Sequence, residues 1–281
     1  MAGTINGILQ TMTKEIDLNE AREYLLKLTS PAGDILRKYF TSGKFTSRSK
    51  GGVDVLTQAD VEVDKFLREN IKKQYPQTFL LTEETAPKDY SSLKDLDNLW
   101  VIDPLDGTVN FSRGNANFAI SVGLIDKGIS KLGVVYAPMS NELYWAQQDK
   151  DGAFLNGKPI TVSPTNDLRE TVFCCDWGWN LTTRIETVKW LEKINTYVRQ
   201  IKCMGSAVAD LASLADGTID TYLHSGLKPW DVAASALLIE KAGGKITTPK
   251  GDKWDVFQPE MLASNGILHD SVLKLIIDHE I

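Results

Sequence analysis

The chain has 281 residues, of which 42% are hydrophobic and 24% charged, and its formal net charge is −6. This composition is ordinary for a globular protein and excludes a disordered chain, while the acidic balance argues against a general nucleic-acid surface. No apolar run approaches the roughly 20 residues that a membrane span requires, and the N-terminus has no signal-peptide pattern. The three cysteines form neither a disulfide framework nor a metal-binding pattern. We therefore expect a reduced, soluble, cytoplasmic protein without membrane or nucleic-acid partners.

The first half of the chain is expected to form two helices followed by strands. Helical spacing of apolar residues and short apolar runs predict these elements: helices over 18–40 and 57–74, strands at 78–81 and 99–102, and three more strands within 117–148. Pro31 should kink or split the first helix. Residues 41–52, which are rich in Ser, Gly and Lys, are typical of a loop.

A β-hairpin is predicted over residues 154–160, where Asn-Gly lies between short apolar pieces. The same region matches most of a phosphate-loop pattern, G-x-x-x-x-G-K, from Gly152 to Lys158. A phosphate loop continues with Ser or Thr and a helix, whereas Pro159 follows here and no helix is predicted. The hairpin is therefore preferred.

The second half of the chain alternates between predicted strands and helices. The strands are expected at 171–176, 201–204 and 219–223, and the helices at 183–200, 205–217 and 231–242. Such alternation indicates α/β packing after a more antiparallel first half. We expect an N-terminal α+β part, residues 1–155, that carries an acidic turn, and a C-terminal α/β part, residues 156–281.

Carboxylates follow several predicted strands or open predicted helices. Asp103 follows the run 99–102 and Asp106 comes one tight turn later; the other members of the set are Asp60, Glu83 and Asp231. Held a few ångströms apart, such groups repel one another unless cations neutralise them, and Mg²⁺ prefers oxygen ligands of this kind. Gly107 leaves backbone N–H groups uncrowded for an anion such as phosphate. The pattern predicts a metal site beside a phosphate site, as phosphoryl hydrolysis requires.

Each acidic residue also has a purely structural interpretation. Asp231 could cap the N-terminus of its helix, and Asp60 could form a capping box with Thr57. The two aspartates of the turn could simply form that turn, and Glu83 could be a solvated surface residue. These alternatives stay open for each residue taken alone.

Two longer motifs resemble the signatures of a known family. Trp100–Phe111, WVIDPLDGTVNF, and Trp230–Gly244, WDVAASALLIEKAGG, resemble the signatures of the inositol monophosphatase family, a group of lithium-sensitive, magnesium-dependent phosphatases. LLTEET around Glu83, DVLTQAD at 54–60 and GSA at 205–207 occur in the order expected of that family. The resemblance covers nearly the whole chain.

The resemblance implies a fold, a metal site and a set of residue roles. The fold is a layered α-β-α-β-α sandwich, of mixed α+β and α/β character, usually in a homodimer. Two or three Mg²⁺ ions are expected in each active site, held by Glu83, Asp103, the Leu105 carbonyl, Asp106 and Asp231. Glu83 and Thr108 are expected to position and activate the attacking water, with Asp60 hydrogen-bonded to Thr108. The residues expected to contact the substrate are Asp106, Gly107, Thr108, Gly205, Ser206, His224 and Asp231.

The chain departs from the family pattern near the second signature. Members that act on inositol phosphates usually carry a glutamate where this chain has His224, which could hydrogen-bond a substrate hydroxyl or be a surface residue. Ser235 stands where a glycine is common. Trp177 and Trp179 could wall the substrate pocket or lie in the core or a dimer interface, and Lys228 could reach the substrate or be solvated. These departures leave the substrate open.

The expected function is Mg²⁺-dependent hydrolysis of a small polyol or sugar-like phosphate, with inositol 1-phosphate as the leading substrate and a metal-activated water as nucleophile. Histidinol-phosphate phosphatase and fructose-1,6-bisphosphatase-like activities are alternatives within the same chemistry. An alternative from another class is a regulatory protein that keeps this fold and binds a protein or RNA partner. The intact acidic set favours an enzyme, because a purely structural role would not need all of those carboxylates.

Overall fold

The computed structural model describes residues 15–51 and 54–277. The N-terminal segment in which no signal peptide was predicted lies largely outside these residues. The described helices are α1 (Leu18–Ser42), α2 (Gln58–Gln74), α3 (Thr108–Ser112), α4 (Leu181–Ile194), α5 (Ala207–Ala215), α6 (Pro229–Lys241) and α7 (His269–Ile277). The described strands are β1 (Ser47–Gly51), β2 (Asp54–Thr57), β3 (Phe79–Thr82), β4 (Leu99–Asp106), β5 (Ala119–Asp126), β6 (Ile129–Ala137), β7 (Glu142–Gln147), β8 (Ala153–Leu155), β9 (Lys158–Ile160), β10 (Val172–Trp177), β11 (Gln200–Lys202), β12 (Thr221–Ser225), β13 (Lys245–Thr247) and β14 (Glu260–Ser264).

The strands form two large sheets and one small one. The seven-stranded sheet has the order β3-β4-β5-β6-β7-β8-β9 and is antiparallel except for the β3–β4 pair. The five-stranded sheet has the order β11-β10-β12-β14-β13, with parallel pairing from β11 to β12 and antiparallel pairing beyond. The remaining pair is β1 with β2. The predicted division at residue 155 stays a prediction; β9, on its C-terminal side, belongs to the seven-stranded sheet.

The seven-stranded sheet is covered by helices on both faces. Trp100 and Ile102 of β4 belong to a buried cluster with apolar residues of α1 and α2. Leu99 and Val101, which alternate with them, belong to a second cluster with residues of α5 and α6. Because successive side chains of a strand point to opposite faces, an apolar run such as residues 99–102 can be buried on both sides. α1 and α2 therefore form one outer layer, and α5 and α6 an inner one.

The five-stranded sheet closes the other side of the inner helices. Cys174 and Tyr222 belong to the same buried cluster as α5 and α6. Phe173 and Cys175 belong instead to a third cluster, which contains Trp190 of α4 and apolar residues of α7. The order of layers is thus α-β-α-β-α, which confirms the expected fold.

Most predicted elements are present, with several differences. α1 is unbroken through Pro31, which is exposed, so solvent can satisfy the helix carbonyl that a proline leaves without its partner. The loop prediction for 41–52 is wrong at its start and in its second part. α1 continues to Ser42, and β1 pairs with β2 although the sequence of β1 has no strand pattern; residue 52 lies outside the described residues. The helix predicted over 183–200 is shorter than expected: α4 ends at Ile194, and residue 200 already belongs to β11. The structure also contains β13, β14 and α7, which the sequence patterns did not predict.

The hairpin prediction is confirmed by β8 and β9. Asn156 and Gly157 between them have φ angles of 49° and 76°, as a two-residue turn that needs left-handed backbone at both positions requires. No helix follows this turn, so the phosphate-loop alternative is wrong. None of the described helices is both long and apolar enough to cross a membrane.

Two glycines let α6 approach the seven-stranded sheet closely. A Cβ atom at Gly133 of β6 would lie 2.5 Å from the carbonyl oxygen of Ala234 in α6. A Cβ atom at Gly123 of β5 would lie 2.8 Å from the Cβ of Ala233. The Ser130 hydroxyl donates to the Ala233 carbonyl at 2.8 Å across the same contact. This close packing sets the position of α6 and of the side chains at its first turn.

Replacing Gly133 by alanine is expected to lower the free energy of unfolding by about 1–3 kcal/mol, because the added methyl group would meet helix backbone that cannot move aside. Urea denaturation followed by circular dichroism measures the change. The matched control is Ile129→Ala at the exposed end of the same strand, which should change stability by no more than about 0.5 kcal/mol. A Gly133→Ala variant with the wild-type urea midpoint would show that α6 does not pack as described.

Candidate active site

The acidic turn lies in a bulge at the end of β4. Asp103 is opposite Ser121 and Asp106 opposite Ala119 of β5, so β4 has one residue more than its partner here. Proline donates no hydrogen bond and is tolerated in a bulge, which accounts for Pro104. The Leu105 N–H donates to Asp103 Oδ1 at 3.0 Å. The strand therefore continues through the turn, and the bulge points both carboxylates to one side.

Asp106 and Asp231 are held by segments distant in the chain. Asp106 Oδ2 accepts from the Val208 N–H at 2.9 Å and from the hydroxyl of Ser206, at the N-terminus of α5. Asp231 Oδ2 accepts from the Lys228 N–H at 2.8 Å. Because α6 begins at Pro229, a favoured residue of a first turn, Asp231 is the third helical residue and the interpretation as an N-cap is wrong.

Four of the five acidic residues, all except Asp60, line one cavity of about 650 Å³. Carboxylate oxygens of Asp103, Asp106 and Asp231 all lie within 4.8 Å of one another. Other predicted site residues also line the cavity: Glu83, Leu105, Gly107, Thr108, Gly205 and His224. The predicted convergence is thus observed for Glu83, Asp103, Asp106 and Asp231 and not for Asp60. An oxygen-only donor set of this size fits a hard divalent cation such as Mg²⁺.

The carboxylates raise one another's pKa values. Burial raises the pKa of Asp103 well above its usual range, and the neighbouring carboxylates, Glu83 first, raise it further. Burial also raises the pKa of Asp231, with Asp106 the next cause, and it raises the pKa of Asp106 to about 7. Uncompensated negative charge is therefore costly here, and a bound cation would relieve it.

This electrostatic arrangement predicts that the stability of the metal-free protein falls as pH rises. A carboxyl group with a raised folded-state pKa binds its proton more tightly in the folded protein than in the unfolded chain. The free energy of unfolding therefore decreases as the pH rises from the ordinary pKa of the group, 3.8, through its folded-state pKa, which is about 7 for Asp106. Mg²⁺ binds the deprotonated groups and should reverse the loss. At about 100 times its dissociation constant, Mg²⁺ should raise Tm by about 5 °C at pH 8, and much less at pH 5. Thermal unfolding with Mg²⁺ or EDTA measures this; equal Mg²⁺ effects at both pH values would contradict it.

Thr108 connects the cavity to a buried carboxylate outside it. Its hydroxyl oxygen lies 3.1 Å from Asp60 Oδ1 and 3.0 Å from the Leu105 carbonyl oxygen. The other Asp60 oxygen accepts from the Thr57 N–H at 2.8 Å, and the predicted capping box is present. The structural and functional interpretations of Asp60 are therefore compatible. Asp60 does not line the cavity and reaches it through Thr108.

Two further predicted substrate contacts differ in their surroundings. Gly107 has φ 88°, and a Cβ atom there would lie 2.9 Å from the Asn117 carbonyl oxygen, so a side chain is excluded at the start of α3. Ser206 is buried and is not among the residues that line the cavity. Since its hydroxyl binds Asp106, its observed contact is with a predicted metal ligand. Gly205, which precedes it, does line the cavity.

His224 and two tryptophans form another part of the cavity wall. His224 is 7% exposed, so the surface interpretation is wrong, and burial lowers its pKa to about 3. The ring is therefore neutral near pH 7, and its Nδ1 has no hydrogen-bond partner among the described residues. Trp177 and Trp179 are 40% and 54% exposed, so neither is a core residue, and both line the cavity together with Lys228.

A pair of neighbouring carboxylates, one half-buried and one fully buried, was missed by the sequence analysis. Asp176 of β10 lines the cavity, and the fully buried Asp210 of α5 lies behind it. Burial, followed by the charge of Asp176, raises the pKa of Asp210 to about 9. The available signal was a charged residue in the otherwise small and apolar run of α5. Asp176 adds negative potential on the Asp106 side of the cavity, since it also raises the pKa of Asp106.

Comparison with known proteins shows which family this chain is related to. The inositol monophosphatase family profile matches residues 17–280. A curated Thermotoga maritima protein, fructose-1,6-bisphosphatase/inositol-1-monophosphatase, is 32% identical over 90% of this chain and 94% of its own length. The Nus factor SuhB of Salmonella typhimurium is 34% identical over 83% of this chain and 87% of its own. The solved IMPase structure from Thermotoga maritima superposes with a TM-score of 0.82 at 32% identity, covering 92% of this chain and 97% of that one. The chain therefore belongs to the inositol monophosphatase family, whose members are phosphoric monoester hydrolases.

Proposed function

We propose that this chain is a Mg²⁺-dependent phosphomonoesterase that acts on a small polyol or sugar-like phosphate, with inositol 1-phosphate as the leading substrate. The observation that carries the proposal is the meeting of Asp103, Asp106 and Asp231, with carboxylate oxygens within 4.8 Å of one another, in a cavity that Glu83 also lines. The cavity volume of about 650 Å³ is within the range of small-molecule sites.

The residues that would hold Mg²⁺, two or three ions per site, are Glu83, Asp103, Asp106, Asp231 and the Leu105 carbonyl. When bound there, the cation lowers the pKa of a water molecule and neutralises charge on the phosphate. The Thr108 hydroxyl has one hydrogen and two acceptors within reach. If it donates to Asp60, its oxygen is free to accept a hydrogen bond from the attacking water and to orient it. Glu83 would take up the proton, and the Gly107 and Thr108 N–H groups would donate to phosphate oxygens.

The substrate assignment depends on the other wall of the cavity. Neutral His224 can donate to or accept from a hydroxyl but provides no fixed charge, which fits a polyol. The Lys228 ammonium at the cavity could pair with a second phosphate, and the Thermotoga maritima relative is named for fructose-1,6-bisphosphatase as well. A sugar bisphosphate is therefore the second candidate. Histidinol phosphate is the third, since its ring could pack on Trp177 or Trp179.

A substrate panel tests these assignments. Phosphate release is measured from inositol 1-phosphate, fructose 1,6-bisphosphate and histidinol phosphate, each with Mg²⁺ and with EDTA. The proposal expects Mg²⁺-dependent release, fastest with inositol 1-phosphate. Faster turnover of either other compound would replace the leading substrate, and no release from any would contradict the phosphatase assignment.

Other properties expected from the family are proposed here as well. We expect a cytoplasmic homodimer that lithium inhibits; sedimentation velocity and a lithium titration of the Mg²⁺-dependent activity test these points. A relative is named a Nus factor, and this name supports the regulatory alternative as a second proposal. In that case the protein would bind a transcription component with or without Mg²⁺, and Asp103→Asn would leave binding unchanged while removing activity.

A further inference from the structure

Two thiols lie next to each other beside the candidate active site. The last residue pair of the β10–β11 ladder is Cys174 and Lys202. Cys175 and Cys203 follow these residues directly and face each other one position beyond the end of the ladder. Their Sγ atoms are 3.4 Å apart. Neighbouring strands are about 4.8 Å apart, a spacing within the Cα–Cα range that disulfides span. A disulfide between these residues therefore needs only local adjustment.

The two thiols differ in their access to solvent. Cys203 is exposed and lines the cavity, whereas Cys175 is buried against α4 and α7. The hydrogen bond between them lowers the pKa of Cys203 and raises that of Cys175. A reagent in solvent thus meets Cys203 first, because Cys203 is the exposed thiol of the pair, and Cys175 lies directly behind it. The third cysteine, Cys174, faces the opposite side of the sheet, where its Sγ donates to Asp210.

The segment after Cys203 is connected to the metal-ligand turn. The Met204 carbonyl accepts from Asn110 Nδ2 at 2.7 Å, and the Gly205 N–H donates to Asp176 Oδ2 at 3.3 Å. Ser206, next in the chain, donates to Asp106. A disulfide brings sulfur atoms to about 2.05 Å, so the thiols must approach by more than an ångström. β10 is held between β11 and β12, whereas β11 is an edge strand, so the residues after β11, of which Cys203 and Gly205 are exposed, are the part that can move.

We propose that Cys175 and Cys203 are a reversible oxidation site and that their disulfide reduces activity by displacing the segment that holds Asp106. H₂O₂ oxidises the Cys203 thiol to a sulfenic acid: one peroxide oxygen is transferred to sulfur, the O–O bond breaks, and the other oxygen leaves as water. The Cys175 thiol then attacks that sulfur, the S–S bond forms and a second water leaves. Two thiols lose two electrons and two protons, the peroxide gains them, and a dithiol reductant reverses the reaction. The effect on activity rests on the proposed phosphatase function, whereas disulfide formation does not.

The experiment treats the reduced full-length protein with H₂O₂ and then divides the sample. Intact mass and peptide mapping show whether the disulfide has formed. Mg²⁺-dependent phosphate release and the Mg²⁺-induced rise in Tm show whether the candidate metal site still functions. We expect loss of two hydrogen atoms, a linked 175–203 peptide, about tenfold lower activity, a smaller Mg²⁺ effect on Tm, and full recovery with dithiothreitol. Cys203→Ser should keep the reduced activity and resist H₂O₂, whereas the matched control Cys174→Ser should respond like wild type.

Several outcomes would overturn the inference. Absence of the linked peptide, or equal H₂O₂ sensitivity of Cys203→Ser and wild type, would exclude this pair as the oxidation site. A disulfide that leaves both phosphate release and the Mg²⁺ effect on Tm unchanged would exclude the coupling to Asp106. A protein without phosphatase activity would contradict the proposed function alone, since mass and Tm still decide the inference.

Discussion

Replacing Asp103 by asparagine is expected to reduce Mg²⁺-dependent phosphate release at least about 100-fold, equivalent to about 2.7 kcal/mol of transition-state stabilisation. Asp103 is 1% exposed, and the carboxylates of Glu83, Asp106 and Asp231 all raise its pKa. It therefore lies among the other acids of the site. The asparagine side chain has nearly the same shape as that of aspartate but lacks the negative charge that would hold a cation. Initial rates with a generic phosphomonoester measure the loss.

The same substitution should have the opposite effect on the stability of the metal-free protein. Since deprotonated Asp103 is repelled by its neighbours, the variant should unfold at a higher temperature than wild type in EDTA at pH 8, and Mg²⁺ should raise its Tm much less. An inactive variant that is at least as stable cannot be explained by misfolding. The matched control is Asp151→Asn, an exposed aspartate that does not line the cavity. Activity of Asp103→Asn equal to that of this control would remove Asp103 from the mechanism.

The Thr108→Val variant is expected to lose about 100-fold in kcat, the second large effect. Valine has nearly the same shape and begins a helix without strain, but it cannot accept a hydrogen bond from water or donate one to Asp60, 3.1 Å away. Thr108→Ser retains the hydroxyl and should recover most of the activity. Steady-state kinetics should show the loss in kcat more than in KM, since Thr108 is proposed to orient the attacking water.

A double-mutant cycle with Asp60→Asn tests whether the two residues act together. If Asp60 works through the Thr108 hydroxyl, the double variant should be no slower than Thr108→Val alone, because residues that act as a unit are not additive. Additive losses would show that Asp60 has a separate role, for example through the capping box with Thr57. A Thr108→Val enzyme with wild-type kcat would exclude the hydroxyl from the reaction.

Local sequence patterns were sufficient for much of the fold. The apolar run at residues 99–102 indicated a buried strand, and Asn156-Gly157 indicated a hairpin, because both depend on the backbone and side-chain preferences of a few adjacent residues. The acidic turn at Asp103 and Asp106 was recognisable for the same reason. β1 was missed because a strand with polar side chains is defined by its partner, β2, rather than by its own pattern.

The sequence patterns alone were therefore enough to identify most of the elements, the family motifs and the acidic residues near the ends of those elements. Four features became known only from the three-dimensional arrangement: Asp231 meets Asp103 and Asp106, Ser206 binds Asp106, His224 is buried and neutral, and Cys203 lies against Cys175. These contacts join residues that are distant in the chain and depend on how closely α5 and α6 pack between the two sheets. An apolar pattern shows which face of an element is covered, but not which other segment covers it.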